Sequence, residues 1–154
     1  MMQEGAGRDA GVLAVMRAVR GFGDAHDRMS AEMKQGMAMN ASDLAALRLL
    51  IIRVEEGRLV TPRDVSAHLR ISTASTTKLI DRLSASGHVR RAPHPSDRRA
   101  RVIELTDAAR QEFFRRFSPH LHAMREAMAQ FSAAELEVAE RAFRVLGEAI
   151  DRDG

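Results

Sequence analysis

The stretch from Ser72 to Thr106, STASTTKLIDRLSASGHVRRAPHPSDRRARVIELT, constrains this chain more than any other. Thr76, Leu79, Ile80 and Leu83 follow the spacing of one helical stripe, while Ala74, Thr77, Lys78 and Asp81 fall on the opposite side. One face belongs to a core and the other is left to touch something else. Ser72 supplies an N-cap oxygen and Gly87 stands where a helix closes in left-handed conformation, so both ends are punctuated. Two β-type runs follow, Val89–Ala92 and Arg101–Leu105, separated by Pro93, His94, Pro95, Ser96, Asp97, Arg98 and Arg99, a turn dense in proline and charge. Helix and hairpin with a basic tip make a shape suited to a nucleic-acid duplex.

Together these parts resemble the winged helix-turn-helix of the MarR (multiple antibiotic resistance regulator) family. The family's wing signature, Asp-x-Arg followed by a strand ending in Leu-Thr, stands here as Asp97-Arg98-Arg99 and then Ala100 to Leu105-Thr106. Upstream, Thr77-Lys78-Leu79-Ile80-Asp81-Arg82-Leu83 with Gly87 fits the family's recognition-helix pattern at the matching separation. The likeness extends to the whole length and helix order. It implies a mainly α fold with a small β-wing, in the order helix, helix, strand, helix, helix, strand, strand, helix, helix, joined into a homodimer through the terminal helices. It further implies a DNA-binding transcriptional regulator, a ligand-responsive repressor on a pseudo-palindromic operator in double-stranded DNA.

The expected DNA contacts follow from that match. Ser72, Thr73, Ala74, Ser75 and Thr77 open the recognition helix, where base edges and phosphates are met in helix-turn-helix docking. A hydroxyl-rich start is also ordinary capping, and the resemblance is what favours contact. Lys78, Arg82, Arg98 and Arg99 are expected on the DNA, with Arg99 in the minor groove and Asp97 pairing with its guanidinium to hold it extended. Arg70 stands where the family often has glycine. If that position needs φ > 0, the arginine is strained there and either contacts a phosphate or is a tolerated surface residue.

Composition supports a folded chain. Its 154 residues are 45% hydrophobic, enough for one domain or two small lobes sharing a core. There is no cysteine, which excludes disulfides, thiolate metal sites and a thiol redox switch. The apolar run Leu49–Ile52 is far short of a membrane span, and Met1–Ala10 lacks a signal-peptide core, so a cytoplasmic protein without membrane contact is expected. Thr61–Thr106 holds nine Lys/Arg against four Asp/Glu, although the whole chain carries only +3. The basic charge is concentrated on the expected reader.

Along the chain, a long helix is expected from about Asp9 to Met39, with an apolar stripe through Val12, Val15, Val19, Phe22, His26, Met29, Met33 and Met37 and a bend at Gly21 and Gly23. Ser42 is expected to cap a second helix with Leu44, Leu47, Leu50, Ile51 and Val54 inside and Gly57 at its end. Leu59-Val60 would add a third strand to the wing. Thr61, Pro62 and Asp64 read as N-cap, first-turn proline and N3 acid of the next helix. Thr106-Asp107 starts a long helix with the stripe Ala109, Phe113, Phe117, Leu121, Met124 and Met128 and a kink at Pro119. Ser132 with Glu135 forms a capping box, Phe131 with Leu136 a staple, and Leu136, Ala139, Phe143, Leu146 and Ile150 a packing seam. Residues 9–41 and 107–151 would then be the dimerisation region and 42–106 the DNA-binding region.

Other chemistries are weaker. His120 and His122 lie two apart on a helix and cannot face one ligand together, so no metal site is expected, and no cofactor. In the family a small aromatic or anionic effector binds near the junction of dimer helices and reader. Here His26, Met29 and Met33 are candidates to line such a site, although a methionine stripe is more often plain core. Two alternatives stand beside the regulator: a sequence-tolerant DNA-organising winged helix without an effector, and an enzyme. Against the enzyme, there is no glycine-rich phosphate loop and no nucleophile-base constellation of known spacing.

Overall fold

The computed structural model describes residues 2–152, with side chains from residue 5 onward. Six helices and one hairpin follow in order: α1 (Met2–Met37), α2 (Ala41–Glu55), α3 (Pro62–Leu69), α4 (Thr73–Ala85), β1 (Val89–Pro93), β2 (Arg101–Leu105), α5 (Asp107–Met128) and α6 (Ala133–Arg152). α1 begins earlier than the apolar stripe suggests and passes through Gly21 and Gly23 as unbroken helix.

Short-range chemistry sets most boundaries. α2 is capped by Asn40, whose side chain accepts from Asp43 N–H at 2.9 Å while the Asp43 carboxylate accepts from Asn40 N–H at 3.2 Å. Ser42, the expected cap, therefore lies inside the first turn. A reciprocal capping box satisfies two orphan donors where a lone serine satisfies one, so the acid at position 43 selects asparagine. Thr61 and Asp64 form the same device at α3, with Pro62 at the first position. α2 and α4 each close on a left-handed glycine, Gly57 at φ +69° and Gly87 at φ +75°. In both, the following residue's N–H reaches back to the helix, Arg58 to the Arg53 carbonyl at 2.8 Å and His88 to that of Leu83 at 2.9 Å.

The chain divides into two compact units, one through Arg116 and one from Phe117 onward. The core of the first gathers Leu44, Leu47, Leu50 and Ile51 of α2, Val65 of α3, Leu79, Ile80 and Leu83 of α4, Val102, Ile103 and Leu105 of β2, and Phe113 of α5. Met33 and Met37 complete it from the end of α1. Val54, expected inside, is 43% exposed because it lies in the last turn of α2 beyond the packed face. β1 and β2 pair antiparallel, Val89 opposite Leu105 and Pro93 opposite Arg101. The third strand does not form. Leu59-Val60 contributes a single ladder bond, from Ile103 N–H to the Val60 carbonyl at 2.7 Å, and buries Val60 while Leu59 stays exposed.

In the second unit α5 continues through Pro119 as unbroken helix. Ser132 and Glu135 form the expected capping box at α6, with the carboxylate 2.8 Å from Ser132 N–H. Those hydrogen bonds hold the Glu135 carboxyl below its ordinary range. The expected stripes of α5 and α6 are open in part. Leu121, Met124 and Met128 are exposed, and so are Leu136, Phe143 and Ile150 on α6. No helix among the described residues is long and apolar enough to cross a membrane.

Candidate nucleic-acid interface

The turn between α3 and α4 is fixed before the reader begins. Arg70 adopts φ +53° and ψ +45°, the left-handed conformation in which glycine is at ease and arginine is not. Ile71 N–H then returns to the Ser66 carbonyl at 3.2 Å, and Ser66 Oγ donates to the Ile71 carbonyl at 2.7 Å, so the turn is bonded in both directions. Ser72 Oγ accepts from Ser75 N–H at 3.1 Å and opens α4.

α4 sorts its residues as its periodicity requires. Thr76, Leu79, Ile80 and Leu83 are buried, with the Thr76 hydroxyl donated to the Ser72 carbonyl at 2.9 Å. Ser72, Thr73, Ala74, Ser75, Thr77 and Lys78 are all exposed, and so is Arg70 before them. Thr77 Oγ1 donates to the Thr73 carbonyl at 3.0 Å, which leaves its methyl group and oxygen lone pairs for a base edge.

The cations separate into two groups. Arg82, Arg90 and Arg91 are engaged inside the fold: Arg82 with Asp43, Arg90 with Glu104 across the hairpin at 2.8 Å, and Arg91 with Asp81 of α4 at 2.5 Å. Lys78, Arg98 and Arg99 are exposed and form no ion pair among the described residues. The sequence pattern puts Arg82 on DNA with them, and in the structure Arg82 is engaged by Asp43 instead of standing free. Its guanidinium reaches the buried Asp43 carboxylate, whose hydrogen bonds and charge push the Arg82 pKa further up.

The wing tip is held differently from the expected arginine clamp. Asp97 Oδ1 accepts from the backbone N–H of Arg99 at 2.9 Å, and the Asp97 carbonyl accepts from Ala100 N–H at 3.1 Å. Asp97 therefore shapes the turn through the main chain, and the Arg99 guanidinium forms no ion pair among the described residues. Such aspartate-to-backbone bonding competes with side-chain pairing wherever the donor is two residues on. Across the tip, His94 N–H donates to the Ala100 carbonyl at 3.2 Å, and Ser96 N–H donates to His94 Nδ1, also at 3.2 Å.

Residues 39–100 match the family model described as MarR family. The reader segment belongs to the MarR family. Among curated relatives, the uncharacterized HTH-type transcriptional regulator YfiV of Bacillus subtilis is 24% identical over 131 residues, which is 85% of this chain and 76% of that protein. The fold is shared with a MepR mutant from a multidrug resistant S. aureus clinical isolate, with TM-score 0.70 and 14% identity over 87% of this chain and 95% of that one. It is also shared with MepR in an S. aureus MepR–DNA complex, with TM-score 0.59 and 14% identity over 85% and 96% of the two chains.

Sequence reasoning missed several residues that shape this MarR-family reader. Asp43 carries no local signal for its role, because its partner Arg82 is 39 residues away. His88, just before β1, has a buried Nδ1 without a partner. Burial lowers its pKa, with the Asp43 charge opposing. Beside it lies an open groove of about 380 Å³ between Ser86–His88 and the first turns of α5, including Gln111 and Arg115.

The expected effector residues differ in exposure. Met33 is 2% exposed and fills the core, whereas Met29 is half-buried and His26 is exposed, its ring 6.3 Å from that of Phe22. Nearby, Arg48 Nη2 donates to Ser30 Oγ at 3.1 Å and ties α1 to α2, and burial lowers the Arg48 pKa. No group of three metal-ligating side chains comes together among the described residues.

Proposed function

We propose that the chain is a DNA-binding transcriptional regulator that acts as a homodimer, a repressor holding a pseudo-palindromic operator and releasing it to a small aromatic or anionic effector. The observation that carries the DNA reading is the exposed face of α4, where hydroxyls and Lys78 stand free of the core, beside a wing whose Arg98 and Arg99 are unpaired. Hydroxyls and a threonine methyl address base edges, and unpaired cations displace counterions from phosphates. The DNA-bound relative of the same fold supports this assignment.

Dimerisation draws support from apolar side chains that one chain leaves in water. Val12, Val15 and Phe22 on α1, and Phe143 and Ile150 on α6, are each about half exposed or more. Runs of exposed apolar residues at helical spacing mark an interface in a soluble protein. A second copy presents the same surfaces, and a two-fold symmetric pair places one α4 on each half-site.

A salt titration on two duplexes tests the roles. Lys78→Ala should weaken binding to both and flatten the plot of log affinity against log salt by about one unit, as for one lost phosphate contact. Thr77→Ala should instead change preference at one base-pair position and leave the slope in place. A changed preference with an untouched slope in Lys78→Ala would reverse the assignment.

A further inference from the structure

Arg82 leaves the last turn of α4 and reaches back 39 residues to Asp43 in the first turn of α2. Its Nη2 lies 2.6 Å from Asp43 Oδ1, and its Nε lies 3.1 and 3.2 Å from Oδ1 and Oδ2. The Asp43 side chain is 6% exposed and that of Arg82 46%, so the arginine covers the acid from the solvent side. The same carboxylate accepts from Asn40 N–H at 3.2 Å, so both of its oxygens are occupied. A buried carboxylate stripped of its cation is strongly unfavourable, which keeps the pair closed. A planar guanidinium bound through two nitrogens fixes direction as well as distance, which a lysine cannot do.

The neighbouring residue is anchored too, because Asp81 binds Arg91 of β1 at 2.5 Å. Consecutive residues of α4 are thus held from α2 on one side and from the wing on the other. Thr77 and Lys78 sit one turn earlier, four residues before Asp81 and Arg82, on the same two lines along the helix. A helix is rigid over one turn, so its rotation at residues 81 and 82 is passed unchanged to 77 and 78.

We propose that Arg82 is a positioning residue for base readout. Through Asp43 it sets the rotation of α4 about its own axis, and it makes no DNA contact itself. Hydrogen bonds to base edges depend on direction and are lost when the helix turns. Phosphate attraction depends mainly on charge and survives. The Asp43–Arg82 pair therefore governs discrimination between sequences more than attraction to DNA. This inference rests on the DNA-reading proposal above.

The test uses the full chain, the tightest duplex it selects from a randomised pool, and a shuffled duplex of the same composition. Arg82→Gln and Asp43→Asn should each lose about tenfold or more on the selected duplex. On the shuffled duplex they should change little and keep the wild-type salt slope. The double variant should lose little more than either single one, because both remove the same strut. Arg82→Lys should remain impaired on the selected duplex, since it restores charge without the two-point grip. Asp43→Asn keeps the size of the side chain and its capping oxygen, so it decides the matter if Arg82→Gln does not fold.

Two results would overturn the proposal. Equal losses on both duplexes with a slope smaller by about one unit would make Arg82 a phosphate contact. Wild-type affinity of folded variants on both duplexes would leave the pair as a support for the fold alone. A wild-type chain that cannot tell the two duplexes apart would remove the DNA-reading proposal itself, a different outcome from either.

Discussion

At the residue scale, two positions carry strain or burial that can be measured. Arg70 holds a left-handed backbone at φ +53°. Replacing it with glycine should raise stability by about 1 kcal/mol in thermal or denaturant unfolding, because glycine adopts that region without a Cβ clash. If the arginine is held there to contact a phosphate, the same Arg70→Gly change should weaken DNA binding and reduce the salt slope by about one unit. Unchanged affinity would mark it as a tolerated surface residue.

His88 is the second such position. Burial lowers its pKa, so the unfolded chain takes up a proton at a higher pH than the folded chain does. As pH falls through the ordinary histidine range, about 6.5, the unfolded state gains protons first and stability declines. His88→Gln should remove that part of the decline, so the wild-type minus variant stability should fall between about pH 7 and about pH 5. A constant difference over that range would show that His88 does not titrate differently in the two states.

At the element scale, the hairpin shows where local pattern was sufficient and where it was not. Alternation, Pro93 and the charged tip located both strands and the turn, since these are short-range signals. Asp97 was also legible as the organiser of the tip, but its partner was not. Two residues apart on a strand would place Asp97 and Arg99 side by side, yet the tip is a turn, and there the Arg99 N–H is the nearer donor. The variants follow from that geometry. Asp97→Asn retains an acceptor oxygen and should keep operator affinity, whereas Asp97→Ala should loosen the tip and destabilise the fold by about 1 kcal/mol. Arg99→Ala should leave unfolding within about 0.5 kcal/mol of wild type and weaken operator binding by roughly 1 to 3 kcal/mol. Loss of affinity in Asp97→Asn, measured by fluorescence anisotropy, would instead point to a charge pair formed on DNA. The cap of α2 failed for a related reason: Asn40 and Ser42 are both good caps, and the choice depended on which one Asp43 could answer.

At the scale of the whole molecule, the recognition helix and its caps were readable because every interaction that defines them lies within a few residues. Asp43–Arg82 and the lone Val60–Ile103 hydrogen bond were not, because each joins segments about 40 residues apart and depends on how the elements pack. The terminal stripes read as adhesive in the sequence, and several of their side chains are exposed in one chain. Ile150 is 72% exposed, so Ile150→Asp leaves the packing of the single chain intact and should give folded chains of monomer mass by light scattering. A dimer of unchanged stability from that variant would place the interface elsewhere. Whether two copies read one duplex is tested by selecting duplexes from a randomised pool with the purified chain and then measuring the mass of the complex formed. The expected result is enrichment of two symmetry-related half-sites about one helical turn apart, bound by two chains per duplex. Enrichment of nothing, or of a single half-site bound by one chain, would contradict it.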